Sequence, residues 1–314
     1  MAQGKSARAL DRKGLEGIVD QYTDALLKHD PNGLPLARDV RYTELGVEME
    51  LGDGFWGTVT GKGNYRTLYA DPEGGQIGGF MTMDEGGRAL LMALRLRVEL
   101  GRITEIETGY YRQMGFGGGA NWNDLGPPAL NKQGKPLDPW TQAIPKEQRL
   151  PRQELINIAN CYFAGLENND GHGYYPFTDT CHRLENGVAT SNNPDLKMGG
   201  PNSDFNPAAM SVKAAFETGF YAVVTRIHDR RFPVVDEERG IVLAFAVFDH
   251  AGTKTTVRLS DGRDFPMAMF NRPSSLYIAE AFKIENGLIS QIEACCASVP
   301  YHSNTGWPGG LSGH

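Results

Sequence analysis

The sequence has no stretch approaching the ~20 consecutive apolar residues of a membrane-spanning helix, so no membrane segment is expected. Basic residues are the minority, 31 Lys and Arg against 38 Asp and Glu, and the net charge of −7 argues against a nucleic-acid partner. Cysteine is scarce: Cys161, Cys181, Cys295 and Cys296 form no CxxC pair, and Cys295 and Cys296 point to opposite faces if they lie in a strand. Free thiols in a reducing cytoplasm are the simplest reading. The first residues, MAQGKSARALDRKG, are basic but carry no apolar segment of a secretory signal, so no such signal is expected there and the cytoplasm is the expected location. There is no Walker A loop, no dinucleotide-binding glycine fingerprint, no HExxH, no Cys/His zinc spacing and no Ser nucleophile elbow. No cofactor is therefore expected, and no local spacing among the seven histidines supports a metal.

What the sequence does have is itself twice. LLMALRLRVELGRITEIE (Leu90–Glu107) and LYIAEAFKIENGLISQIE (Leu276–Glu293) align at a constant offset of 186 residues, matching Val98 to Ile284, Gly101 to Gly287 and Ile106 to Ile292. Upstream, Tyr22 and Tyr162 each lie on a helix, Asp30 and Asp170 follow eight residues later, and Glu-x-Gly-Val recurs at Glu44–Val47 and Glu185–Val188. GFMTMDEGG (Gly79–Gly87) resembles AFAVFDHAG (Ala244–Gly252). A chain of 314 residues is long enough for two domains, and the repeat places one copy in each half.

Each copy begins with an amphipathic helix: Leu15, Ile18, Val19, Tyr22 and Leu26 follow helical spacing, as do Leu155, Ile158, Ala159, Tyr162 and Leu166. Strands follow, alternating over Leu90–Leu100 and Leu276–Asn286 and ending at hairpin turns, most plainly Asn286-Gly287. The expected fold is α+β, two tandem units with helices on a curved antiparallel sheet. The units span 1–114 and 151–314, joined by a Gly/Pro-rich linker over 115–150 whose Trp122 and Trp140 pack on something. The second copy carries insertions, with a helix expected over Pro207–Gly219 and a strand over Phe220–Asp229.

The helix ends KHDPNGL and NNDGHGY, the segments RYTELGV and HRLENGV, and the closing FKIENGLISQIEA resemble the nuclear transport factor 2-like superfamily, within it the SnoaL-like polyketide cyclases, ketosteroid isomerases and scytalone dehydratase. The final SVPYHSNTGW looks like the end of one SnoaL-like branch. The resemblance covers most of Leu15–Tyr111 and Arg152–Trp307. It implies cone-shaped units enclosing an apolar cavity, which in such families commonly holds residues for cofactor-free isomerisation, dehydration or cyclisation. Other members do no chemistry.

The second copy departs from the first where chemistry would need it to. Leu276, Ile278, Glu280, Phe282 and Ile284 share a strand face whose counterpart in copy one, with Leu94 at the matching place, is wholly apolar. A carboxyl there either takes a raised pKa suited to proton transfer or pairs with an arginine such as Arg226. Alternation puts Arg226, His228 and Arg230 on one face, where they bind an anion or pair with Asp236, Glu237 and Glu238. His172, Tyr174, Asp179 and His182 crowd one short segment, with His172, Tyr174 and His182 on one face. Asp249 ends a strand, where a turn role also explains it, and Tyr301, His302 and Trp307 form an aromatic tail able to lid its own pocket or its neighbour's. The charges on the other strand face, Arg95, Arg97, Glu99, Lys283 and Glu285, read as a solvated or inter-domain surface.

The expected activity is a cofactor-independent acid/base lyase on a hydroxylated aromatic small molecule, by dehydration or by formaldehyde-releasing C–C cleavage of a lignin-derived diaryl, the latter implied by the resemblance. His182 or Glu280 is the base, Tyr174 or His228 the acid, and Arg226 or Arg230 steadies an oxyanion. His172, Asp179, Asp249, Tyr301, His302 and Trp307 complete the substrate site. An isomerase or cyclase is the second reading and a non-catalytic hydrophobic-ligand carrier the third. A homo-oligomer is compatible with all three.

Overall fold

A computed structural model describes residues 10–112, 122–198, 203–267 and 270–310. In the first unit, helix α1 (Arg12–Leu27) is capped by Asp11, whose side chain accepts from Gly14 N, and buries its Leu15, Val19, Tyr22 and Leu26 stripe. The chain continues through β1 (Leu36–Glu44), β2 (Val47–Glu48) and a single helical turn, α2 (Phe55–Thr58). A meander follows: β3 (Val59–Asp71), β4 (Gln76–Glu85), β5 (Arg88–Glu99) and β6 (Arg102–Tyr111). The linker contains helix α3 (Gly126–Gln133), and its Trp140 is buried against the ring of Tyr69 at 5.5 Å.

The second unit repeats the order with α4 (Arg152–Leu166), β7 (Phe177–Glu185) and β8 (Val188–Ala189). Its insertion supplies α5 (Val212–Glu217), and a meander of β9 (Arg226–Asp236) and β10 (Ile241–His250) is followed by a small β11 (Thr256–Arg258) and β12 (Asp264–Pro266) pair. β13 (Ser274–Glu285) and β14 (Leu288–Val299) close it. The expected strand over Phe220–Asp229 forms only from Arg226; Phe220–Val223 is a 3-10 turn whose aromatics stack on Phe205 and Phe216.

Each unit is one six-stranded sheet, ordered β2-β1-β6-β5-β4-β3 and β8-β7-β14-β13-β10-β9. The sheets are mixed rather than wholly antiparallel: β1 runs parallel to β6, and β7 to β14. Parallel neighbours need a long connection, and the whole meander is that connection. The duplication holds at the level of register. Leu94 faces Gly79 and Thr108, Glu280 faces Ala244 and Ala294, and both copies carry a bulge at the same place, Arg97/Val98 and Lys283/Ile284.

Three cores result: one under α1, one under α4 and α5, and one between the two sheets, built from Tyr65, Tyr69, Phe80 and Leu91 against Leu243, Phe245, Tyr277 and Cys295. The third core is smaller than the other two, but at ~1.5–3 kcal/mol for each large apolar side chain it holds the two sheets together. Cys295 faces it while Cys296 faces the second unit's interior, and all four cysteines are free thiols. No helix among the described residues is long and apolar enough to cross a membrane.

Candidate functional site

The interior of the second unit holds a polar cluster inside an aromatic core. Tyr162 comes from the inner face of α4, Arg183 and Glu185 from β7, Glu280 from β13 and Tyr221 from the 3-10 turn of the insertion. Arg183 Nε donates to Tyr162 Oη at 3.1 Å, and its Nη1 donates to Glu185 Oε2 at 2.7 Å and Thr190 Oγ1 at 2.9 Å. Glu280 Oε1 stands 3.6 Å from Arg183 Nε. Glu280 is wholly buried, and neither of its oxygens closes a hydrogen bond. Burial pushes this carboxyl up to about 7 against the pull of Arg183 and Tyr162. Burial also raises Tyr162 and Tyr221, so both phenols remain proton donors. Around them stand Phe163, Phe177, Phe216 and Phe282, with the Tyr162 and Phe282 rings 5.0 Å apart. The arrangement joins a carboxyl that exchanges its proton near neutral pH, a fixed guanidinium and two phenols.

The equivalent place in the first unit is filled. Glu44, the counterpart of Glu185, accepts from Tyr42 Oη, from Tyr110 Oη at 2.9 Å and from Phe55 N at 2.8 Å. Trp56 Nε1 donates to Tyr22 Oη at 3.1 Å, and Phe55 and Trp56 of α2 are both buried there. Tyr42 replaces Arg183, Leu94 replaces Glu280, and both oxygens of the one inner carboxylate are satisfied. Polarity is present in both units, but the under-bonded carboxyl belongs to the second.

Of the expected catalytic residues, Glu280 lies in this cluster and the others do not. His182 is one residue out of phase with Arg183, half-buried on the opposite face of β7, where burial lowers its pKa. Tyr174 is 73% exposed, and His172 and Asp179 are exposed as well: Gly171-to-Pro176 is a loop, so alternation does not apply to it. Arg226, His228 and Arg230 do not share a face. Asp229 takes φ +52° and the β9–β10 register shifts there, turning Arg230 toward Glu167, with which it pairs. Arg226 is half-buried at the start of β9. Asp236 and Glu238 are taken by Arg12 at 2.7 and 2.6 Å, and Glu237 accepts from Arg152 N.

The tail crosses to the first unit instead of lidding its own. Trp307 is buried between Arg41 and Arg95, with Nε1 donating to Thr43 Oγ1 at 2.9 Å. It borders a groove of about 380 Å³ at the junction of the units, shared with Arg97, Arg230 and Arg231. Tyr301 stays partly exposed, its ring 4.4 Å from that of His302. Three expected residues from distant parts of the chain do meet: His228, Asp249 and His302 converge at the end of β10, on the sheet face opposite Glu280.

Sequence reasoning missed Arg183, Tyr221 and Glu185. The signal was present for two of them: Glu185 anchors the repeated Glu-x-Gly-Val, and Arg183 occupies the place of Tyr42 two residues before it. Tyr221 is brought in by the insertion, for which copy one has no counterpart.

A family model for a domain of unknown function, DUF8021, matches residues 8–110 and 148–296, and the chain belongs to that family. The two matched segments follow the two units. No curated protein matches. Among solved structures, a de novo designed protein with a curved β-sheet is similar at 16% identity, over 32% of this chain and 88% of that one, with a TM-score of 0.24.

Proposed function

We propose that the second unit is an acid/base catalyst, a lyase acting on a hydroxylated aromatic small molecule. The observation that carries the reading is Glu280: a wholly buried carboxyl that Arg183 approaches only to 3.6 Å, with no close hydrogen bond among the described residues and a pKa pushed up to about 7. A buried carboxyl held this loosely costs the fold free energy, whereas Glu44 in the first unit is held by three close hydrogen bonds. Its titration range is the one in which a group both takes and returns a proton at neutral pH.

In this reading Glu280 removes a proton from the substrate, Arg183 steadies the negative charge that develops, and the Tyr162 or Tyr221 phenol gives a proton to the departing hydroxyl, which leaves as water. Formaldehyde release uses the same parts: Glu280 takes the proton of a primary hydroxyl, the neighbouring C–C bond breaks, and its electron pair forms a C=C bond as the benzylic hydroxyl, protonated by the phenol, leaves as water. The residues replace the expected His182, Tyr174 and His228, which lie elsewhere. The fold reading that accompanies it is the SnoaL-like cone, with α5 as the cover over the interior; Tyr221 follows α5 directly, so movement of the cover also moves the acid.

The test is incubation of the purified protein with hydroxylated aromatic, diaryl and polyketide-like compounds, products being read by mass spectrometry. A product lighter by water, or by formaldehyde and water together, is expected. Glu280→Gln should lower its formation by about 100-fold or more and leave substrate binding intact. Turnover that survives Glu280→Gln would remove Glu280 from the reaction; binding with no product across the panel would make the unit a carrier.

A further inference from the structure

We propose that His228, Asp249 and His302 form a binding site for a divalent transition-metal ion. The three come from different elements, β9, the end of β10 and the segment after β14, and one ligand atom from each lies within 4.8 Å of the others. His228 Nε2 is 3.4 Å from Asp249 Oδ2, and His302 Nδ1 is 3.3 Å from the same oxygen. Neither approach is a hydrogen bond: His228 Nε2 and Asp249 Oδ2 are buried atoms without one. With metal–ligand distances near ~2.0–2.1 Å, ligands at a tetrahedral centre are about 3.3 Å apart. Two imidazoles and a carboxylate at that spacing are short of one another and right for an ion between them.

The outer contacts fit as well. A metal-bound imidazole usually gives its second N–H to a carboxylate, and a ligating carboxylate is itself hydrogen-bonded. His228 Nδ1 faces Asp229 Oδ1 at 3.4 Å, and the other Asp229 oxygen is held by Thr305 N at 3.0 Å. Ser275 Oγ donates to Asp249 Oδ1 at 2.5 Å and in turn accepts from His302 N at 3.1 Å, which ties the third ligand to the second. His228 and Asp249 are buried, whereas the His302 side chain is 51% exposed, so one side of the site is open to solvent and to a further ligand. Imidazole and carboxylate donors suit zinc, iron and cobalt rather than calcium or magnesium.

This site lies on the sheet face opposite Glu280, so the two assignments stand or fall separately. The test uses untagged full-length protein stripped with a chelator. Cobalt(II), with zinc(II) as competitor, is titrated while visible absorption and heat are recorded. One equivalent should bind with the intense absorption of a four-coordinate cobalt centre and be displaced by zinc. His302→Ala, at an exposed position, should fold as the wild type and weaken binding at least 10-fold. His228→Gln should weaken it at least as much, and His172→Ala, on a remote loop, should have no effect. Failure of the wild type to bind cobalt or zinc would overturn the site. So would binding that both His302→Ala and His228→Gln leave unchanged.

Discussion

Glu107 and Glu293 occupy the same position in the two copies, and their neighbours give them opposite charge states. Both are wholly buried between the sheets. Burial pushes Glu107 up, but Arg231 and Arg95 more than offset it and hold the carboxyl below its usual range. Among the described residues, Glu293 has only the Tyr65 hydroxyl, at 2.8 and 2.9 Å, and burial pushes it up to about 7. The unfolded chain releases this proton near pH ~4.3, while the folded chain keeps it until about pH 7. Stability therefore falls as pH rises between those values and is level above them. Replacing the carboxyl with an amide removes the slope. Denaturant unfolding of Glu293→Gln and wild type from pH 4 to 8 should show the variant gaining on the wild type by roughly 3 kcal/mol; a constant difference across that range would mean that Glu293 is not protonated in the fold. Glu280 was legible in the sequence because the repeat set it against a leucine. Glu293 was not, since its equivalence to Glu107 conceals that the partners differ: Arg231 reaches Glu107, and Tyr65 reaches Glu293, from the other unit.

At the scale of the element, the repeat can be read as an experiment on turns. The β5–β6 and β13–β14 hairpins both place two residues at positive φ, Leu100 (51°) with Gly101 (76°) and Asn286 (52°) with Gly287 (78°). Asn tolerates this conformation and Leu does not, at a cost of ~1–2 kcal/mol. Leu100 is 80% exposed, so it recovers nothing from packing. Leu100→Asn should raise stability by about 1 kcal/mol in urea unfolding; no gain would show that the first hairpin relaxes elsewhere. Turns, helices and meander were readable because each has a local period or a local residue preference. Face assignments in β9 and around His182 were not. The left-handed residue at Asp229 and its bulge reverse the phase of β9 until a second register shift between Arg231 and Val234 restores it, and a loop before β7 sets the phase of that strand.

At the scale of the molecule, the two units meet with approximate two-fold symmetry. Arg12 of α1 pairs with Asp236 at the end of β9, and Arg152 of α4 pairs with Asp71 at the end of β3, each at 2.7 Å. Asp236 accepts from Ala70 N and Asp71 from Val235 N, both at 3.2 Å. Such reciprocal contacts are those of a two-fold dimer, here within one chain. Of the charged strand faces, Arg95 and Lys283 are buried, while Arg97, Glu99 and Glu285 reach solvent, so the solvated and the inter-domain readings each hold for part of the face. At the centre the symmetry breaks: Glu107 binds Arg95 Nε at 2.7 Å, Tyr277 Oη at 2.8 Å and the Arg231 guanidinium of the other unit. Arg95 retains Glu105 at 2.7 Å, but Arg231 has besides Glu107 only Thr305 Oγ1 at 3.2 Å. Glu107→Gln keeps the shape and leaves Arg231, largely buried at the edge of the junction groove, charged without a carboxylate partner, which costs about 3–5 kcal/mol. The loss should appear in one cooperative transition, because the third core binds both sheets. Replacing both partners, Glu107→Leu with Arg231→Met, should recover most of it, since a buried pair gains little over well-packed apolar groups. A loss below about 1 kcal/mol for Glu107→Gln would mean that water reaches Arg231 and that the sheets are not sealed at their centre.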